Sequence, residues 1–195
     1  MDYIILFVLA FVVQFALNFI SKKINYDYST CYKWIAIFIN MGIWYLLFER
    51  FHWSITFGLL ALASTILLTS SLIDLTYQEI PNSYNLLVAL LGVGFILEYK
   101  EFYQELLLSG VIIFVLFMSI LAVTGAMGGG DVKMAGAIGL FLGLGLITKF
   151  IIISFFSGAI MAILLILFKK KGKHDVFAFG PYIAFAGIYL FVFYV

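Results

Sequence analysis

Cysteine and charged residues are scarce in this chain, and each scarcity excludes a class of protein. The 195 residues include one cysteine, Cys31, which excludes an internal disulfide and a zinc site built from several cysteines. Charged residues make up 11% of the chain, and the formal net charge is +1. So little positive charge leaves no basic surface large enough for nucleic acid, and we expect no nucleic-acid partner.

Hydrophobic residues dominate instead, at 65% of the sequence, which is more than a soluble domain of this size can bury. Apolar runs of membrane-spanning length recur along the whole chain. We therefore predict an all-α fold, a polytopic helical membrane protein with about eight transmembrane helices in one domain over residues 1–195. The predicted spans cover approximately residues 2–20, 34–48, 53–73, 83–97, 105–123, 132–148, 150–168 and 179–195. Asp2 precedes the first run and no A-x-A-like site follows it, which predicts a retained span and not a signal peptide.

The distribution of lysine and arginine predicts how these spans are oriented. With the first connector in the cytoplasm, eight basic residues fall on that side and three on the other. The cytoplasmic residues are Lys22, Lys23, Lys33, Lys133, Lys169, Lys170, Lys171 and Lys173, and the others are Arg50, Lys100 and Lys149. Both termini are then predicted to lie outside, in a multi-pass protein of the cell membrane.

Two aspartates lie at the ends of apolar runs, where a carboxylate is costly unless it is paired, hydrated or functional. Asp74 closes the run 54–73, and Asp131 follows the glycines 128–130 and opens the next run. Two predicted spans separate the connectors that contain them, so both connectors open on the same side. The two carboxyl groups are therefore predicted to meet at the cytoplasmic face. Paired carboxyl groups that share a proton can activate water for peptide hydrolysis.

Each aspartate also admits a purely structural interpretation. Asp74 could be a hydrated helix-end residue, since Pro81 disfavours helix before it and Asn82 or Ser83 could cap the next span. Asp131 could simply cap the sixth span.

Several glycines and one lysine near Asp131 also have patterns that can be interpreted. Gly128 and Gly130 permit a close approach of another backbone, such as a substrate strand. Lys133 is typical of an interfacial lysine that extends its ammonium group to water. Gly139 and Gly143 form a small-xxx-small pair, which predicts tight helix packing and no direct chemistry.

Three motifs in this order resemble the type IV prepilin peptidases, the bacterial GxGD aspartyl membrane proteases. Asp74 precedes Ile80-Pro81-Asn82, and residues 128–133, Gly-Gly-Gly-Asp-Val-Lys, match the G-x-G-D-x-K pattern. Residues 179–182, Phe-Gly-Pro-Tyr, resemble a recurring F-G-P element of that family. Together the motifs cover roughly residues 70–185, and the ordered set is far more specific than a lone G-x-G-D.

The resemblance implies an endopeptidase that removes the short basic leader peptide of prepilin or pseudopilin precursors at the cytoplasmic face. Asp74 and Asp131 match the catalytic aspartates, in loops near 74–82 and 124–133, and the family needs no metal or other cofactor for proteolysis. The partners would be the precursor substrate and membrane lipids. Residues expected to bind substrate or support the loops are Pro81, Asn82, Gly128, Gly130, Lys133, Gly180 and Pro181.

One part of the family pattern is absent from this sequence. Many bacterial members carry two C-x-x-C pairs after the first span and also methylate the new N-terminus. Here that connector, residues 21–33, contains a single cysteine, Cys31. Leu17-Asn18 matches part of the family's F-L-N element, but the glycine that neighbours this element in the family is absent. The chain resembles a short form without the cysteine-rich insert, in which methylation is doubtful and peptidase activity is expected.

Other functions also use intramembrane carboxylates. An ion-coupled transporter could use Asp74 and Asp131, although no internal repeat is evident and both acids are predicted near one face. A presenilin-like or signal-peptide-peptidase-like protease also carries G-x-G-D, but this chain has Ile73-Asp74 where those enzymes have Y-D and lacks their P-A-L element. A membrane scaffold would leave both aspartates unexplained.

Overall fold

Helices account for all the regular secondary structure in the residues that the computed structural model describes, which are 1–125, 127–168 and 177–195. Eight α-helices and two short 3-10 helices, Lys100–Phe102 and Leu144–Leu146, occur in these ranges. The α-helices are α1 (Asp2–Lys23), α2 (Thr30–Phe51), α3 (Ile55–Tyr77), α4 (Asn82–Glu98), α5 (Tyr103–Thr124), α6 (Gly129–Leu142), α7 (Ile147–Leu167) and α8 (Gly180–Phe193). The lysine cluster 169–173, predicted to be cytoplasmic, lies outside the described residues.

Five of the helices, α1, α2, α3, α5 and α7, are long and apolar enough to cross a membrane. At about 1.5 Å per residue they exceed the roughly 30 Å of a bilayer's hydrocarbon core. Their outward faces carry exposed large apolar side chains, such as Phe15, Val115 and Phe156. The predicted all-α fold of a polytopic membrane protein is confirmed.

The three shorter helices complete the bundle around the most buried elements. Helix α3 contacts α1, α2, α4 and α8, while α6 lies among α4, α5 and α8. With 14 residues, α6 is too short to cross the hydrocarbon core by itself. Asp74 lies in the last turn of α3 and Asp131 in the first turn of α6, so the two most enclosed helices carry the two aspartates.

Glycines allow α6 to pack directly on the backbone of α5. A Cβ atom added at Gly139 would lie 2.8 Å from Cα of Gly110, and one added at Gly136 would lie 2.9 Å from Cβ of Phe114. The predicted packing role of Gly139 agrees with this contact, whereas Gly143 has another function. With a φ of 65°, Gly143 ends α6, so the predicted span 132–148 is divided and α7 begins at Ile147.

Buried polar side chains join α1 to α3 inside the bundle. Gln14 donates from Nε2 to Oδ1 of Asn18 and to Oγ1 of Thr69, at 3.0 Å each. The hydroxyl of Tyr28 donates to the same oxygen of Asn18 at 2.6 Å. The bond to Thr69 holds α1 against α3 at a position five residues before Asp74. Such pairing matters here because an unpaired polar group is costly inside the bundle.

Candidate active site

Asp74 is held by a backbone amide from the other end of the chain. Its side chain is buried, and Oδ2 accepts a hydrogen bond of 2.9 Å from the N–H of Gly180, the first residue of α8. The sequence had placed Asp74 in the connector after the third span. In the structure α3 continues to Tyr77 and ends at Gln78, whose φ is 56°. Asp74 therefore lies on a rigid helical turn and not on a loop.

Asp131 is held by its own motif. Oδ2 accepts a 3.2 Å hydrogen bond from the N–H of Gly128, which precedes α6. Gly128 is the N-cap residue of α6 and Asp131 the third helical residue, so this contact is one half of a capping box and not the N-cap role that the sequence offered as an alternative. It uses only one oxygen, because Oδ1 of Asp131 is buried and has no hydrogen-bond partner among the described residues. A buried carboxyl oxygen without a partner is costly in a purely structural role.

The two aspartates line one cavity of about 310 Å³ at the ends of α3 and α6. Burial raises the pKa of Asp131 from its ordinary 3.8 to about 7; the nearby carboxyl group of Asp74 acts in the same direction, and the amide of Gly128 opposes them. The structure thus brings together the two carboxyl groups that the sequence predicted to meet. The other lining residues are Gln78, Glu79, Ile80, Asn82, Gly128, Gly129, Gly130 and Lys133.

Ile80 packs between the two glycine segments that position the carboxyl groups. A Cβ atom at Gly130 would lie 3.0 Å from Cβ of Ile80, and one at Gly180 would lie 2.9 Å from its Cδ1 and 2.7 Å from Oδ2 of Asp74. Both glycines are therefore required by close approach. The sequence identified the two glycines but not Ile80 as the side chain that they accommodate.

Helix α4 supports the first turn of α6, which carries Asp131, through two polar contacts. Asn85 donates from Nδ2 to the carbonyl oxygen of Gly130 at 3.0 Å. Nζ of Lys133 donates to Oδ1 of Asn82 at 2.8 Å. The predicted capping role of Asn82 is wrong, since no side chain caps α4 and the Asn82 side chain binds Lys133 instead. Sequence reasoning missed Asn85, which follows Asn82, Ser83 and Tyr84 in the polar first turn of α4 and does not stand out among them.

The two prolines act on backbone direction. Pro81 directly precedes α4, and its carbonyl accepts the amides of Tyr84 and Asn85. Pro181 occupies the first turn of α8, where its fixed φ is tolerated. Pro181 lines an apolar cavity between α2, α3 and α8 and is not among the residues that line the carboxyl cavity. The structure therefore does not bring Pro181 into the cavity that the aspartates line.

Metal-ligand side chains do not cluster in this region. Within the described ranges, no group of three or more His, Cys, Asp or Glu residues is arranged to hold a metal ion. The cavity is lined by the two buried aspartates together with the carboxyl group of Glu79, the side-chain amides of Gln78 and Asn82, and the ammonium group of Lys133.

Comparisons with known proteins cover most of the residues that build this cavity. The model of the type IV leader peptidase family matches residues 61–163, just over half of the chain, including both aspartates. The prepilin leader peptidase/N-methyltransferase of Legionella pneumophila is 28% identical over an alignment of 153 residues, and this match covers 73% of this chain and 53% of that protein. The chain thus spans about half the length of this curated relative. No solved structure matches significantly. By the extent of the family match and its coverage of both aspartates, the chain belongs to the type IV leader peptidase family.

Proposed function

We propose that this protein is an aspartyl endopeptidase that cleaves the leader peptide from prepilin or pseudopilin precursors, with Asp74 and Asp131 as its catalytic pair. The observation that carries the proposal is one cavity lined by two buried carboxyl groups from separate helices. Membership in a leader peptidase family favours proteolysis over ion transport, and favours prepilin-type substrates over those of presenilin-like proteases.

The proposed mechanism divides the two roles of an acid–base pair between the aspartates. Two close carboxyl groups do not both ionise readily, so one proton is shared by the pair. We assign this proton to Asp131 in the resting state, because its pKa is raised to about 7. Asp74 is then the carboxylate, stabilised by the amide of Gly180.

Hydrolysis follows from that starting state. The carboxylate of Asp74 takes a proton from water, and the water oxygen bonds to the scissile carbonyl carbon while Asp131 protonates the carbonyl oxygen. The tetrahedral intermediate then collapses, the C–N bond breaks, and a proton from the Asp74 carboxyl group goes to the departing amine. Asp131 regains its proton from the intermediate's hydroxyl group as the new carboxyl forms.

We further propose that the cavity faces the cytoplasm, and that proteolysis is not followed by N-methylation. Only six residues, 24–29, separate α1 from α2, and they contain no cysteine. The connector therefore offers no counterpart of the cysteine-rich insert. Mass spectrometry of the processed pilin should show a shortened chain with an unmethylated N-terminal amine.

Replacement of either aspartate by asparagine tests the catalytic assignment. Asp74→Asn and Asp131→Asn should each lower cleavage of a co-expressed prepilin by at least about 10³-fold, since neither amide can exchange the proton. Asp27→Asn is the matched control, because Asp27 is an exposed surface residue paired with Lys22 and Lys33. Cleavage retained by either test variant, in membranes that contain normal amounts of it, would contradict the proposal.

A further inference from the structure

A second cavity adjoins the carboxyl groups and extends along the helices into the apolar bundle. It is a half-open groove of about 560 Å³ between α4 and α5, with α6 as its floor. We call it the α4–α5 groove. Asn82 and Lys133 line both this groove and the carboxyl cavity, so the two spaces share a wall at the end where Asp131 lies.

Small and apolar side chains give the groove its shape. Its floor includes Gly136 and Ala137, and Val111 and Phe114 form the wall on α5. At the far end, the Leu140 side chain packs against Gly92 of α4 and Gly110 of α5 and so fills the space between these helices. Cβ atoms added at the two glycines would lie only 2.7 Å and 2.5 Å from it. From Asn82 to Ala89 the groove follows α4 for roughly 10 Å, about two helical turns.

One polar group interrupts this apolar lining near the carboxyl groups. Asn85 lines the groove and is 5% exposed, and its Nδ2 is bound to Gly130. Its Oδ1 is buried and accepts no hydrogen bond from any described residue. An acceptor left without a donor beside a catalytic cavity is suited to a backbone N–H of a bound chain.

We propose that the α4–α5 groove binds the apolar segment that follows the scissile bond of the precursor, an inference that rests on the function proposed above. A substrate whose basic leader stays at the membrane surface must pass the two aspartates and then enter the apolar layer. The shared wall of Asn82 and Lys133 places the groove directly on that path. The apolar lining matches such a segment, and the free oxygen of Asn85 receives a backbone amide where the segment leaves the bond to be cleaved.

Filling the groove tests the proposal kinetically. Val111→Phe narrows the groove, and Val115→Phe is the matched control on the same helix, since the two valines are 50% and 55% exposed and Val115 does not line the groove. Each enzyme is assayed on a full-length prepilin and on a peptide that ends a few residues after the scissile bond. The kcat/KM for the full-length prepilin, divided by that for the short peptide, should fall about tenfold or more in Val111→Phe. The same ratio should stay unchanged in Val115→Phe. Equal ratios in the wild type and both variants would overturn the proposal and indicate that lipid occupies the groove.

Disulfide cross-linking separates this inference from the proposed reaction, because it needs no cleavage. In a Cys31→Ser background, Val111→Cys should cross-link to a prepilin with a single cysteine in its apolar segment, and Val115→Cys should not. Cross-linking without cleavage by the wild-type enzyme would support the groove and contradict the proposed function. Cleavage with no cross-link at residue 111, for every position of the substrate cysteine, would support the function and overturn the groove.

Discussion

At the scale of single residues, the same device holds both proposed catalytic carboxyl groups. Each uses Oδ2 to accept a backbone amide that a glycine donates, Gly180 for Asp74 and Gly128 for Asp131. Backbone amides hold a carboxylate without adding a competing proton donor of similar acidity. For Asp131 this leaves Oδ1 buried and without a hydrogen-bond partner among the described residues.

Gly180→Ala should damage the site through Asp74. The new Cβ atom would lie 2.7 Å from Oδ2 of Asp74, so the carboxyl group or α8 must move. We expect kcat/KM for prepilin cleavage to fall about 10²-fold, as misplacement of a catalytic group by about 1 Å commonly causes. Gly58→Ala on α3 is the control, since nothing lies within 4 Å of its added Cβ. Activity of Gly180→Ala within about twofold of wild type would contradict this role.

The pKa of Asp131 is raised to about 7, so this side chain should lose its proton near neutral pH, whereas an ordinary surface aspartate loses its proton at a pH of about 4. Cleavage should decline as the pH rises above about 7, because Asp131 loses the proton that it gives to the scissile carbonyl. The folded state also holds this proton more tightly than the unfolded state. The stability that Asp131 contributes is therefore fully present below a pH of about 4 and lost as the pH rises through about 7.

Thermal unfolding in detergent at a series of pH values measures the second effect without any substrate. The wild-type midpoint should fall between a pH of about 4 and about 8 more steeply than that of Asp131→Asn. Parallel curves for the two proteins would show that Asp131 has no raised pKa in the folded state.

Sequence reasoning found the residues whose identity alone carries information. The two aspartates and the glycines around them stand out because charge and conformational freedom are unusual in an apolar chain. The motif included Ile80 but not its packing role, and Asn85 was missed altogether, because both roles depend on which glycine each side chain contacts in three dimensions. Pro181 was assigned to the site because of its neighbour in the sequence, but it lines a different, apolar cavity.

At the scale of elements, the short helix α6 determines where Asp131 lies. Its 14 residues run from the G-G-G-D motif to Gly143, and glycines on its surface let it contact α5 backbone to backbone. Apolar composition continues past Gly143, which is why the sequence predicted one span over 132–148. The left-handed conformation at Gly143 ends the helix, and composition carries no sign of it.

Gly139→Ala should destabilise the protein at this contact. The added Cβ would lie 2.8 Å from Cα of Gly110, and two backbones cannot yield as a flexible side chain would. We expect a loss of about 1–3 kcal/mol in the free energy of unfolding, typical of overpacking. Gly42→Ala on α2 is the control, because its Cβ meets nothing within 4 Å. Equal thermal midpoints for the two variants would show that α5 and α6 can separate at no cost.

At the scale of the whole molecule, the basic residues mark two ends of the bundle. Tyr77, one turn beyond Asp74, shares hydrogen bonds with the backbone of Asp27, which is paired with Lys22 and Lys33. At the other end, Arg50 donates to the carbonyl of Val192 at 2.6 Å and Lys149 lies over the Tyr194 ring. Among the described residues, Lys22, Lys33 and Lys133 therefore lie at the same end of the bundle as the carboxyl cavity.

Cysteine labelling tests the proposed orientation of these ends. Cys31 is free and exposed, and it lies at the end of the bundle that holds the carboxyl cavity. A membrane-impermeant maleimide should therefore label it in inside-out vesicles and not in intact spheroplasts. In a Cys31→Ser background, Glu101→Cys, at an exposed position of the opposite end, should show the reverse pattern. Labelling of Cys31 from outside would place the aspartates on the wrong face for a cytoplasmic leader.

The bond between Gly180 and Asp74 joins residues 106 positions apart. A ribosome releases α3 into the membrane long before it has made the first turn of α8, so the emerging chain carries Asp74 without its amide donor. The proposed catalytic pair is completed only when the last helix docks against α3. On the proposed function, a product that terminates before Gly180 would carry both aspartates into the membrane and remain inactive.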